Sequence, residues 1–205
     1  MESFTKSFLL LFVLLNPFIM SVYLVELIKG MAIRDFATQL LRAGLLSLAV
    51  LLAFAWAGEV IFEDVMQVRF LSFMIFGGIT FLIIGIRLIL YATPPVQSLR
   101  PESKEVSGAI AMPFIIGPGT ISASVLAGSR LDFVLGALAI SLALAAAIGS
   151  IILLKKLHDM VQTRSERYVE RYVEVAGRVT GLFTGSFAVE MILKGIERWL
   201  HVLHP

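Results

Sequence analysis

Cysteine is absent from this 205-residue chain, which excludes disulfides, thiol catalysis and cysteine-based metal sites. Charged residues are scarce as well, since Asp, Glu, Lys and Arg make up 16% of the sequence. The histidines, His158, His201 and His204, fall in a predicted loop and at the C-terminus. No phosphate-binding loop and no Ser/His/Asp arrangement is found. The sequence therefore predicts no catalytic residue, no metal and no cofactor, and disfavours ATP-driven chemistry.

Apolar residues, by contrast, make up 58% of the chain, and its mean hydropathy is +0.91. A soluble core of this size could not bury that much hydrocarbon. A helix needs about 20 residues to cross a hydrocarbon layer about 30 Å thick. We predict an all-α integral membrane protein with six transmembrane helices, the sixth interrupted by charges. These spans correspond to residues 7–25, 43–58, 70–86, 106–129, 133–154 and 172–200.

Lysine and arginine are unevenly shared between the two sets of loops, and their distribution predicts the orientation. One side carries eleven: Lys29, Arg34, Arg42, Arg87, Arg100, Lys104, Lys155, Lys156, Arg164, Arg167 and Arg171. The other carries five: Lys6, Arg69, Arg130, Lys194 and Arg198. We therefore predict an inner-membrane protein with both termini outside. Because the basic residues are scattered over loops and helix ends, they indicate topology and not a nucleic-acid partner.

The two halves of the chain resemble each other. A shift of 101 residues matches Pro17 with Pro118 and Ser21 with Ser122, and a shift of 100 matches Thr80 with Thr180. Each half has three spans, an odd number, so the second half would enter the membrane the opposite way up. We predict a 3+3 inverted repeat, with repeats at 1–91 and 106–205 joined by a cytoplasmic linker at 92–105. The alternative is coincidence in a chain rich in Gly and Leu.

Two spans carry residues that interrupt a helix. Asn16 and Pro17 lie near the middle of span one, and Gly117-Pro118-Gly119-Thr120 lies within span four. Asn caps helix N-termini and Pro favours the first helical position, so a second half-helix is predicted to begin at each break. The two N-termini would direct amide hydrogens at one midplane site for a carboxylate. Unpaired carbonyls, that of Ile115 among them, would accept bonds from an ammonium group. The alternative is that the prolines only kink the helices for packing.

These breaks, together with Gly77-Gly78 in span three and the run Pro113 to Ile121 in span four, resemble the MarC family of six-span membrane proteins. The resemblance covers essentially the whole chain. It implies an inverted-repeat carrier similar to SnatA-type transporters of glycine, alanine and other small neutral amino acids, driven by a cation gradient, with protons as the expected ion. Met20 and Glu190 depart from the family pattern, which leaves substrate size and coupling ion open.

Several polar residues outside the breaks complete the candidate site. Ser21 and Thr80 are predicted to offer hydroxyls to the substrate, although a hydroxyl in a helix more often bonds its own backbone. Glu190 is the carboxylate expected deepest in a span, which makes it a candidate for ion coupling. Lys194, four residues later on the same face, could instead pair with it.

The sequence thus predicts a secondary transporter of small neutral amino acids that works by alternating access in the lipid bilayer. Asn16, Pro17, Gly117, Pro118, Gly119, Thr120, Ser21 and Thr80 are the predicted substrate-binding residues, and Glu190 is the coupling candidate. The alternatives are a channel or an exporter for another small polar solute, an intramembrane enzyme and a non-transporting scaffold. An enzyme is disfavoured because no nucleophile and base are evident. A homo-oligomer stays open.

Overall fold

A computed structural model describes residues 2–65, 67–91, 106–161 and 166–203, and the regular structure in these ranges is helical. The predicted all-α class is therefore confirmed. The predicted linker 92–105, with Arg100 and Lys104, and also Arg164, lie outside the described residues. The helices are α1 (Glu2–Leu15), α2 (Pro17–Tyr23), α3 (Val25–Gly30), α4 (Ile33–Val60), α5 (Phe70–Tyr91), α6 (Val106–Ile110), α7 (Pro118–Arg130), α8 (Phe133–Val161) and α9 (Glu166–Leu203), with π-helical turns at Ile61–Val65 and Ala111–Ile115.

Four of the described helices are long and apolar enough to cross a bilayer. They lie in α4, α5, α8 and α9, and large apolar side chains such as Leu45, Phe76 and Leu182 are exposed on their outer faces. A soluble monomer rarely exposes apolar patches this extensive, so these faces suit lipid. The candidate spans are Ile33–Gly58, Phe70–Tyr91, Phe133–Met160 and Gly177–Leu200.

The segments predicted as spans one and four are each divided into helices too short to cross a bilayer. In span one, α1 has 14 residues and is followed after Asn16 by α2 and α3. In span four, α6 and a π-helical turn precede α7, which has 13 residues. The breaks predicted from the sequence are present, because α2 begins at Pro17 and α7 begins at Pro118.

Helices α5 and α9 form a close antiparallel pair. A Cβ atom placed on Gly85 would lie 2.8 Å from the backbone nitrogen of Gly185, and one on Gly78 would lie 2.8 Å from the carbonyl oxygen of Ala188. At the other end of the pair, Gly195 faces Ile75. Small residues therefore let the two backbones approach, as in other membrane helix pairs.

The remaining helices pack around α4 and α8, which contact each other, while α1 packs on α8 and α7 packs on α4. Their shared core is apolar and includes the fully buried Leu11, Phe36, Leu40 and Ile151. Both α1 and α5 also contact α7, so α7 joins this core to the α5–α9 pair. The second break, where Gly117, Gly119 and Thr120 are buried, consequently lies inside the bundle.

The chain leaves the two broken spans through similar turns. After α3, Met31 is extended at φ −109° and ψ 147°, and α4 begins at Ile33. After α7, Leu131 is extended at φ −124° and ψ 151°, and α8 begins at Phe133. Both junctions therefore recur at an offset of 100 residues.

Candidate functional site

The first break is made by a single residue. Asn16 has φ +40°, in the left-handed region that Asn tolerates better than most L-residues. Its N–H donates to the carbonyl of Phe12, and its own carbonyl accepts from the N–H of Met20, both at 3.1 Å. Asn16 therefore ends α1 and begins α2, and Pro17 follows as a first helical residue that needs no amide donor.

We expect this backbone conformation to distinguish two replacements of Asn16. Glycine adopts positive φ without a steric cost, whereas a β-branched residue at positive φ loses about 1–2 kcal/mol. Asn16→Val should therefore unfold with a free energy about 1–2 kcal/mol lower than Asn16→Gly. Both variants lose the Asn amide, so their difference isolates the backbone term. Denaturant titration in detergent micelles measures it, and equal stabilities would contradict the left-handed conformation.

The second break is closed by a side chain. The hydroxyl of Thr120, a residue only 2% exposed, accepts the N–H of Gly117 at 2.9 Å and lies 2.7 Å from the carbonyl oxygen of Ile115, to which it can donate. Gly117 is extended and caps α7. The prediction that the Ile115 carbonyl is unpaired is wrong, because the Thr120 hydroxyl can donate a hydrogen bond to it. The break is thus held together by its own residues.

The two breaks are in contact with each other. A Cβ atom on Gly119, at the start of α7, would lie 3.3 Å from Cδ2 of Leu14, near the end of α1. It would also lie 2.5 Å from the ring of Phe81 on α5. Only a residue without a side chain fits here, so backbone of α7 is exposed to its neighbours at this point.

A cavity of about 150 Å³ rises from this contact between α1, α5, α7 and α9. We call it the vestibule. Its base is at Leu14 and Gly119, and its mouth is at Phe70, Arg130 and Arg198, the residues of the lining that lie farthest from the breaks along their helices. The remaining lining residues are Leu10, Met74, Ser122, Ala123, Leu126, Phe187, Glu190, Met191 and Lys194.

One face of α7 forms a wall of the vestibule from base to mouth. Gly119, Ser122, Leu126 and Arg130 recur at helical spacing, and they span about 16 Å at 1.5 Å per residue. On the facing α9, Met191 marks the base, because a Cβ atom on Gly77 would meet both Met191 and Pro118. Glu190 is therefore near the level of the second break.

The polar groups of the vestibule differ in whether they have a hydrogen-bond or ion-pair partner. The Ser122 hydroxyl is buried and has no hydrogen-bond partner among the described residues. Glu190 pairs with Lys194 at 2.9 Å, and the two side chains are 55% and 58% exposed. The part of the chain that the structure describes contains no ion pair for Arg130 or Arg198. The vestibule thus has an unpartnered hydroxyl buried in its wall and, at its mouth, two arginines without an ion pair among the described residues.

A second, larger cavity of about 460 Å³ lies beside the first break. Its lining is almost wholly apolar, and Phe18 and Phe183 within it are 53% and 59% exposed. Such a surface suits lipid better than a polar solute. The predicted residues Asn16 and Pro17 line this cavity together with Thr180. We therefore place the candidate site in the vestibule.

The other residues predicted for the site lie in different parts of the structure. Gly119 and Glu190 line the vestibule. Gly117, Pro118 and Thr120 form the second break behind its base. The hydroxyls of Ser21 and Thr80 donate to the carbonyls of Phe18 and Phe76, at 2.7 and 3.0 Å, within their own helices.

Sequence reasoning missed three lining residues as site residues, namely Ser122, Arg130 and Arg198. A signal for two of them was available. Ser122 and Arg130 follow Gly119 by three and eleven residues, so all three lie on one face of a helix. That this face lines a cavity depends on how α7 packs, which the spacing does not determine.

Comparison with known proteins agrees with the helical membrane architecture. Residues 1–200 match the model of a protein family described as MarC family integral membrane protein. No curated protein and no solved structure matches the chain.

Proposed function

We propose, from the premise that this chain belongs to the MarC family of integral membrane proteins, that it is a secondary transporter of small neutral amino acids. The observation that carries this proposal is the vestibule, a small cavity that ends where two interrupted helices meet. Interrupted helices at bilayer depth are tolerated where they line a cavity, and transporters bind solutes at such points.

The base of the vestibule has the chemistry to receive a carboxylate. The amides in the first turn of a helix lack partners within it, and α7 begins beside the base. Gly119 has no side chain to cover its backbone, against which Leu14 and the Phe81 ring pack, and the buried Ser122 hydroxyl is one helical turn away. Glu190 is close to the same level and can receive the ammonium group of the solute. A zwitterion would be held at both ends.

The volume of the vestibule supports a small solute. At about 150 Å³, the vestibule is smaller than most ligand cavities, which have about 300–1,000 Å³. Glycine and alanine have five and six heavy atoms, whereas a large side chain would meet Leu14, Phe187 or Met191 in the lining. Size exclusion therefore favours the smallest neutral amino acids.

The packing also supports the 3+3 inverted repeat that alternating access needs, with six spans and repeats at 1–91 and 106–205. The pairing of spans is unchanged when the halves are exchanged: span one packs on span five as span four packs on span two. The α4 and α8 starts are 100 residues apart. Gly85 faces Gly185, which is expected at an axis that exchanges residues 100 apart.

We propose the inner membrane as the location, with both termini outside. The excess of Lys and Arg on loops 1–2, 3–4 and 5–6 supports this orientation. Trp56 and Trp199, exposed near the ends of α4 and α9, are then at the outer interface, where Trp is favoured. The vestibule would open outward.

A carrier is favoured over a channel by the base of the vestibule. Leu14 and the Phe81 ring pack against Gly119 there, so solute would pass only after these helices move. Glu190 is the proposed coupling residue, with the proton as the ion, because it is the carboxylate in the described lining of the vestibule. This mechanism requires no enzymatic step.

Reconstitution tests the proposal. In liposomes, the purified chain should accumulate labelled glycine or alanine against a concentration gradient when a proton gradient is imposed, and unlabelled solute should drive counterflow. Uptake should saturate, and leucine should compete poorly because of its volume. A parallel series with a sodium gradient identifies the ion.

The possible outcomes separate the candidate functions. Uptake that only equilibrates the solute, without counterflow, would indicate a channel. Absence of glycine and alanine uptake under either gradient would contradict the amino-acid assignment. Liposomes that carry Glu190→Gln should lose proton-driven accumulation if Glu190 couples the ion, and their KM for counterflow should rise because the same carboxylate is the proposed partner of the solute ammonium group.

A further inference from the structure

The mouth of the vestibule concentrates positive charge. Arg130 is the last residue of α7, and Arg198 is on α9, eight residues beyond Glu190. Both are exposed and both line the vestibule. Lys194 also lines it, but its charge is offset by Glu190 at 2.9 Å. Among the described residues, the two arginines are therefore the cations of the vestibule that form no ion pair within 4.0 Å.

We infer that Arg130 and Arg198 form a capture site that binds the carboxylate of the solute at the mouth, before the solute reaches the base. This inference rests on the proposed function and adds to it a second binding position and the residues that make it. The guanidinium group suits this task, because its planar fork of donors matches a carboxylate and it is always charged.

The dimensions separate the capture site from the base. Arg130 and Gly119 are eleven helical residues apart, about 16 Å along α7. A small amino acid cannot span that distance, so it would occupy the two positions in turn. Ser122, whose buried hydroxyl has no partner among the described residues, is on the same face between them.

The charges also predict how capture affects the rate of transport. A neutral amino acid has no net charge, because its ammonium group balances its carboxylate, so the two arginines act on it through charge-assisted hydrogen bonds at short range and not through long-range attraction. Loss of either arginine should therefore appear as a raised KM with an unchanged maximal rate.

Both arginines have an ordinary structural alternative. A basic residue at the end of a helix interacts favourably with the helix dipole, and arginine anchors helix ends at the membrane interface. In that role the residues affect stability or insertion, and the apparent affinity for solute stays constant.

The experiment measures initial uptake of labelled glycine into proteoliposomes by Arg130→Gln, Arg198→Gln and the double variant. We expect KM to rise about tenfold in each single variant, as for loss of a charge-assisted hydrogen bond, and further in the double variant. The matched control is Arg69→Gln, which removes the same charge on the same predicted side but outside the described lining of the vestibule. Its KM should stay within about twofold of wild type.

Further measurements distinguish capture of the solute from anchoring of the helix ends. The conservative variants Arg130→Lys and Arg198→Lys should recover part of the apparent affinity, because lysine retains the charge but not the planar fork of donors. Glycinamide lacks the carboxylate and is a cation, so it should compete poorly with wild type and no less well with the double Gln variant. Wild-type transport with an unchanged KM in both Gln variants would overturn the capture site alone. No transport by wild type would overturn the proposed function, and the capture site with it.

Discussion

Replacing Thr120 with valine is expected to lower the free energy of unfolding by about 2–4 kcal/mol and to reduce transport at least tenfold. Valine keeps the shape of threonine but removes the hydroxyl that accepts the Gly117 N–H and reaches the Ile115 carbonyl. Each buried backbone group left without a partner costs about 1–3 kcal/mol, and at bilayer depth little water is present to replace the bond. The break should then lose its defined shape, and the base of the vestibule with it.

The matched variant is Thr120→Ser, which retains the hydroxyl and deletes one methyl group. It should lose about 1 kcal/mol for that methyl and retain most of the transport. Unfolding in detergent micelles and glycine uptake in liposomes measure the two effects. Equal stabilities of the Val and Ser variants would show that the hydroxyl does not hold the break together. A Val variant that is destabilised but transports normally would place Thr120 outside the transport mechanism.

The positions of both breaks could be predicted from the sequence because their causes are local. Proline lacks an amide hydrogen wherever it occurs, and Asn and Gly are suited to the residue before a helix. Pro17 and Pro118 accordingly begin α2 and α7. No knowledge of the rest of the fold is needed for this step.

The direction of side chains at the breaks could not be predicted in the same way. Thr120 was expected to face solute, but its hydroxyl is taken up by the backbone of the break, and Asn16 and Gly119 line different cavities. Which face of a half-helix meets a cavity depends on its rotation against α5 and α9. That rotation results from contacts between residues far apart in sequence, such as Gly77 with Pro118.

The predicted spans are shorter than the helices that contain them, most of all at span two. Residues 43–58 were predicted for span two, whereas α4 extends from Ile33 to Val60. Its first turns carry Arg34, Asp35 and Arg42, which can remain near the interface while the helix continues. A charge near the end of a span therefore does not mark the end of the helix.

The contact between α4 and α7 allows a prediction on the fold itself. A Cβ atom on Gly128 would lie 2.7 Å from the carbonyl carbon of Ala55 and 3.1 Å from its Cα, and it would overlap the carbonyl oxygen. These are backbone atoms, so no change of rotamer relieves the overlap. The two helices would have to separate, and α7 carries one wall of the vestibule.

Gly128→Ala should accordingly destabilise the protein by about 3 kcal/mol, at the upper end of the usual cost of overpacking. It should also impair transport, because the α7 wall shifts.

Gly149→Ala is the matched control, since no described atom outside its own helix lies within 4 Å of the added Cβ. That variant should gain up to about 1 kcal/mol from the higher helix propensity of alanine. The same chemical change is thus expected to have opposite signs at two helical glycines, which thermal unfolding in detergent can measure. If Gly128→Ala were as stable as Gly149→Ala, α4 and α7 could not be packed backbone against backbone at Gly128.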